Sequence, residues 1–283
     1  MATSGGPTVR RRELGALLRS FRTERRWTVE QVARRLQCSP SKVSRLENGF
    51  RGISARDIRD LCDLYEVRGA RREELIELAA EGKQRASQPS RDLPYATYVG
   101  LEASAAAISD FGLGVVPGLL QTPDYARAVL TAVHPKLSVN DIEQRVAGRI
   151  DRQGLLRSSR PPRFEAVIDE AVLHRAAGNR RILSAQLRHL LAVTEELATV
   201  TIRVLPFQAG ALPVPHNKFI ILSFIENSVP DVVFIELHTR DLYLGPDEGL
   251  ADYQAAFRAM QDMAATSQAS RDMIHEIAAA FED

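Results

Sequence analysis

The stretch TVEQVARRLQCSPSKVSRLENG, residues 28–49, constrains the fold of this chain more than any other. It reads as two helices of eight or nine residues around a turn of about four. The first opens at Thr28 as N-cap, with Gln31 three residues on, the spacing of a capping box. It turns Val29, Val32, Ala33 and Leu36 to one side. QCSP is the turn. The second opens at Ser39, has Pro40 at the first helical position and stops at Gly49. Only Val43 and Leu46 in it are clearly apolar, so a narrow stripe faces a core while Ser41, Lys42, Ser44 and Arg45 stand on the other side. This is helix-turn-helix spacing, in which the first helix crosses a nucleic-acid backbone and the second lies in the major groove. Positions 41, 42 and 45 share one face of a 3.6-residue helix. Arginine pairs bidentately with guanine and serine bonds to several bases. Ser39 and the amides of the helix start suit a phosphate. Ser39, Pro40, Ser41, Lys42, Ser44 and Arg45, with Thr28 from the preceding helix, are therefore the expected contacts to double-stranded DNA.

The charge pattern agrees. Formal net charge over the 283 residues is only +1, but residues 1–91 hold 20 Lys and Arg against 12 Asp and Glu, a net of +8. Residues 92–283 hold 17 against 24, a net of −7. A basic front and an acidic back point to a polyanionic partner for the front. Arg10, Arg11 and Arg12 open the first helix, where they either add phosphate contacts or form a solvated helix start. The two cysteines, Cys38 and Cys62, are too few for a disulfide scaffold and read as small buried hydrophobes in a reducing cytoplasm. No apolar run approaches the roughly 20 residues of a membrane span, and the first residues lack the apolar region of a signal peptide.

Periodicity extends the helical unit in both directions. Leu14, Leu17, Leu18 and Phe21 stripe a helix over 9–26. Ser54 caps another with Ile58, Leu61, Cys62 and Tyr65 inward, and a fifth covers about 70–82. The expected architecture is an N-terminal all-α five-helix bundle, residues 9–82, after a flexible tail, 1–8. A polar linker with two prolines follows, 83–94. Residues 95–283 form an α+β domain. Its expected strands are RFEAVID, VTIRVLPF, KFIILSFI, DVVFIEL and DLYLG, with a helix over 180–198 between the first two, and its last two helices cover 247–265 and 268–281. The close spacing of strands after 218 predicts a mixed or antiparallel sheet. YATYVGLEASAAAI reads as a helix broken by the glycines of DFGLGVVPGLLQ.

The segment from about 10 to 67 resembles the Xre and lambda-repressor type of DNA-binding domain, most specifically in SRLENG. The resemblance implies that Glu47 pairs with Arg22 of the first helix as a structural pair. It also marks two departures: Val29 stands where the family often has Gln, and Gln37 stands where it often has Gly, which implies a strained or differently shaped turn.

Enzyme signatures are scarce. There is no G-x-S-x-G, phosphate-binding loop, H-E-x-x-H or dinucleotide fingerprint. His238 with Asp241 reads weakly as a hydrogen-bonded pair, Asp169 and Glu170 as a helix start, and His174 with His189 as a poor metal site. No catalytic residue, cofactor or metal is expected. Arg149, Arg152 and Gln153 read as a solvated helix face or an interface, and PFQAGALPVPHNKF as a binding loop or a surface connection. VPGLLQTPDYARAVL, RIDRQGLL, DEAVLHRAAGN, QLRHLL, VTIRVLPFQAGA and VVFIEL resemble successive blocks of the C-terminal domain of unknown function in actinobacterial Xre-type regulators, the WhiJ-like group. That resemblance implies a cytoplasmic transcription factor, a repressor or developmental regulator, nucleoid-associated when bound to DNA. Its DNA binding would be tuned through the second domain by a small molecule or a small companion protein. A homodimer on a near-palindromic operator is expected. The other reading is an antitoxin-like protein that sequesters a small partner and autoregulates its operon.

Overall fold

The computed structural model describes residues 7–49, 52–82, 93–214, 217–225, 229–237 and 241–281. Most of the expected tail and linker lies outside the described residues. The rest falls into two compact units, residues 1–105 with 223–231, and residues 106–222 with 232–283.

The first unit holds α1 (Pro7–Glu24), α2 (Val29–Arg35), α3 (Pro40–Glu47), α4 (Ala55–Leu64), α5 (Ala70–Glu81) and α6 (Leu93–Glu102). Helices α2, α3 and α4 each begin where a side chain satisfies an otherwise unpaired amide. Thr28, Ser39 and Ser54 accept from the backbone N–H of Gln31, Lys42 and Asp57. Helices α1, α2 and α4 end in the same left-handed turn. The N–H three residues past each end bonds back, Trp27 to Arg22, Cys38 to Ala33 and Val67 to Cys62, at 3.1, 2.9 and 2.8 Å. None of the three turns has glycine at the left-handed position. Arg26, Gln37 and Glu66 hold φ of 55°, 51° and 53° there. Leu14, Leu18, Val32, Val43, Leu46, Ile58, Leu61, Cys62 and Leu75 build the core. Helix α6 packs against α1 and belongs with the first unit, which runs to Ala105.

The second unit is built on a six-stranded mixed sheet, β1 (Ala107–Gly112), β2 (Arg163–Asp169), β3 (Val200–Leu205), β4 (Phe219–Ser223), β5 (Val232–Glu236) and β6 (Asp241–Leu244), in the order β3-β2-β1-β4-β5-β6. β1, β2 and β3 are parallel, with Phe111 opposite Val167 and Phe164 opposite Val200. Parallel neighbours need long crossovers. These are α7 (Pro123–Val133) and α8 (Val139–Gln153), then α9 (Glu170–His174) and α10 (Arg180–Glu196). β4, β5 and β6 form an antiparallel meander over short connections. The chain closes with α11 (Leu250–Met263) and α12 (Ser267–Ala279). Phe219 of β4 meets Tyr253 and Phe257 of α11 edge-on, at ring separations of 4.9 and 6.3 Å. α12 packs on α10 and β3.

β1 corrects the sequence reading, which carried a helix through Ala107 and Ile108. AISDFG has neither a β-branched run nor clean alternation. Its strand state comes from neighbours on both sides, β2 and β4, a tertiary effect that outweighs local propensity. The block from Val116 to Tyr125, which begins within the glycine-rich segment read as breaking a helix, is pinned by buried polar groups. Gln186 donates to Leu120 O and accepts from Thr122 N, both at 2.7 Å, and Gln121 donates to Val116 O at 2.7 Å.

Helix α1 crosses α3 at Gly15. A β-carbon there would sit 2.4 Å from the carbonyl oxygen of Glu47, a backbone atom that cannot step aside. Gly15→Ala is expected to lower the stability of the first unit by about 1–3 kcal/mol, the usual range for overpacking, as read by denaturant unfolding.

Candidate nucleic-acid interface

The exposed side of α3 is the candidate site. Val43, Leu46 and Glu47 are buried, while Ser39, Pro40, Ser41 and Arg45 are exposed and Ser44 is half-covered. The Arg45 guanidinium folds back on its own helix, its Nε donating to Ser41 O at 3.1 Å. Arg45 makes no ion pair among the described residues, nor do the exposed Arg34 and Arg35 at the end of α2. Arg35 lies over the Trp27 ring, 4.2 Å from its centre, a geometry in which the ring face attracts the cation. Thr28 is exposed, but its hydroxyl is engaged in the capping box with Gln31.

The anchor beneath this face is Arg22 with Glu47. The guanidinium donates from Nε to Oε1 at 2.7 Å and from Nη2 to Oε2 at 2.9 Å, a parallel fork. Its Nη1 donates to Trp27 O at 2.9 Å, so one side chain ties α1 to α3 and to the residue before α2. The side chains are 12% and 5% exposed, which makes this a buried pair. Beside it Tyr65 packs between Phe21 and Trp27. Its hydroxyl is buried and finds no hydrogen-bond partner among the described residues. Burial, with the Glu47 charge nearby, raises the phenol pKa well above the ordinary range.

Three expected contacts turn inward. Lys42 Nζ lies 2.7 Å from Asp57 Oδ1 of α4. Arg10 pairs with Glu13 at 2.7 Å and Glu81 at 2.9 Å. Arg11 donates to Gly82 O at 2.8 Å, and burial lowers its pKa. Arg12 is buried as well, at 6% exposure. The start of α1 is thus packed on the end of α5 rather than solvated or offered to phosphate, because carboxylates and carbonyls about 70 residues away complete its charges. The sequence reading did not single out Asp57, Arg34, Arg35 or Arg56, which lie around this face. Arg56 is 89% exposed in the first turn of α4, next to the Lys42–Asp57 contact. The signal for it was local, a cation two residues after the Ser54 cap.

Elsewhere Arg149 donates to Gln121 Oε1 at 2.7 Å and Gln153 to Gln121 O at 2.6 Å, so these residues of α8 brace the chain internally rather than form a free face. Asp169 caps α9 through Ala171 N, and Glu170 accepts from Phe207 N at 2.7 Å. His238 lies outside the described residues. Burial, with Arg157 nearby, lowers the His189 pKa. Among the described residues no cluster of three or more His, Cys, Asp or Glu could hold a metal. No helix among them is long and apolar enough to cross a membrane.

These features define a helix-turn-helix protein with a larger α+β domain behind it. The family models agree: residues 13–75 match a helix-turn-helix domain, and residues 95–276 match a domain of unknown function, DUF5753. The chain belongs to the DUF5753 family. No curated protein matches it, and no solved structure does.

Removing one partner of a buried ion pair strands the other charge. Glu47→Ala is expected to cost about 3–5 kcal/mol in the first unit, measured by chemical unfolding. Tyr65→Phe removes a buried hydroxyl without a partner and is expected to stabilise the same unit by about 1 kcal/mol.

Proposed function

We propose that this chain is a sequence-specific, Xre-type transcriptional regulator that reads DNA with α3. The carrying observation is the division of α3 itself. Val43, Leu46 and Glu47 are fixed in the bundle, while Ser41 and Arg45 stand exposed one turn apart. Ser41, Ser44 and Arg45 face base edges in this reading. Ser39 and Pro40 set the helix start against the phosphate backbone. Thr28 starts the helix that crosses the backbone, and Arg34, Arg35 and Arg56 supply phosphate contacts.

A single module of this size buries little surface, so tight and specific binding calls for a homodimer on a near-palindromic site, with half-sites about 10 base pairs or a multiple apart. The DUF5753 domain is the regulatory part in this reading. It tunes DNA binding through a small molecule or small partner protein, as the resemblance to the WhiJ-like group implies.

Selection of bound sequences from a random duplex library with purified protein tests the reading. An enriched palindrome whose binding weakens as salt rises supports it. Weak binding that is blind to sequence overturns it. On the enriched site, Arg45→Ala is expected to cost about 1–3 kcal/mol and to relax preference at one position of each half-site. Equal weakening on all sequences would place Arg45 on phosphate instead.

A further inference from the structure

Lys42 occupies the third position of α3, where a cation in a groove-reading helix would be expected to reach DNA. Its ammonium instead points to α4, with Nζ 2.7 Å from Asp57 Oδ1. The lysine and aspartate side chains are 32% and 27% exposed. Both line a small crevice whose other walls are Leu36, Cys38, Leu46, Asp60 and Leu61. Two carboxylates, Asp57 and Asp60, line that crevice; Asp60 Oδ2 also lies 3.7 Å from Arg56 Nε. Asp57 is itself held: its backbone N–H donates to Ser54 Oγ at 3.0 Å. Burial works against its charged form, but the hydrogen bonds from Lys42 and Ser54 outweigh that and keep its carboxyl below the usual carboxylate range. The pair is neutral as a unit and sits between the first turns of α3 and α4, beside the exposed Arg56.

We propose that Asp57 withholds Lys42 from DNA, so that the lysine braces α3 against α4 and adds no phosphate contact. This rests on the DNA-binding reading above. The consequence is weaker sequence-independent binding. A lysine free to swing out would contact phosphate on any sequence, raising non-specific binding at least as much as specific binding. Neutralised by Asp57, it leaves recognition to Ser41, Ser44 and Arg45.

The salt dependence of binding counts phosphate contacts, since each releases counterions and adds about 0.9 to the slope of log K against log salt. The test uses the full chain, one selected duplex and one random duplex, at salt concentrations from low to moderate. Asp57→Asn keeps the size of the side chain and its bonding to Ser54 while releasing Lys42. It is expected to steepen the slope by about 0.9 and tighten binding to the random duplex roughly five- to ten-fold at 0.1 M salt. The ratio of specific to non-specific affinity should not rise, because a phosphate contact acts about uniformly across sequences.

Lys42→Gln is expected to keep the wild-type slope while losing part of its affinity through a looser α3–α4 contact. The double variant should return the slope of Asp57→Asn to the wild-type value, which assigns the change to Lys42. An unchanged slope in a folded Asp57→Asn protein overturns the proposal. So does a slope shallower by about 0.9 in Lys42→Gln, because Lys42 would then already contact phosphate. Binding by every variant with equal slopes removes only this inference. A wild-type protein that binds neither duplex removes the DNA-binding reading and this inference with it.

Discussion

The bidentate contact between Arg22 and Glu47 is the interaction around which the first unit is arranged. One guanidinium bonds to a carboxylate on α3 and to the carbonyl of Trp27 just before α2. It therefore sets the positions of both helices of the helix-turn-helix relative to α1. Such a pair costs desolvation, and its mutual attraction repays this only when the geometry is good and the remaining donors are satisfied. Here the fork is parallel and the third nitrogen is bonded. Gly15 makes the contact possible, because the absence of a side chain lets the α1 backbone reach the end of α3.

A short helix held this way is half structure and half surface. Its inner edge is committed to Val43, Leu46 and Glu47, and its outer edge is left to polar side chains. The neighbouring cations are sorted by the same geometry. Those near the start of α1 meet Glu13, Glu81 and the carbonyl of Gly82. Those at the end of α2 and on the outer side of α3 remain exposed. The net charge of the front thus overstates the charge on offer to a partner.

The second unit relies on a different device. Its parallel strands are joined by helical crossovers. The irregular chain between β1 and α7 is held by buried amides from Gln121 and Gln186, with the Tyr125 hydroxyl accepting from Val116 N at 3.3 Å. Glutamine suits this place because it carries both donors and an acceptor without a charge to desolvate. The sequence block around this segment, which falls within the DUF5753 match, therefore has a structural role.

Local rules made much of this readable from the chain alone. The caps at Thr28, Ser39 and Ser54, the apolar stripes of α1 to α5, and the strands from β2 to β6 depend on residues within a few positions of one another. β1 was not readable, because its strand state is decided by β2 and β4. The inward turn of Lys42, Arg10 and Arg11 was not readable either, since Asp57, Glu81 and Gly82 lie 15 to 71 residues from them and a cation on a helix looks the same whether it faces water or a carboxylate. The sequence by itself determined the helix-turn-helix spacing, the capped starts and the division into a basic helical front and an acidic α+β back. Only the tertiary structure decided which cations stay exposed, where the parallel half of the sheet begins and how α3 is held. The reason is physical: capping and periodicity act over one or two turns of chain, whereas charge pairing, strand pairing and close backbone approach depend on what the fold brings alongside.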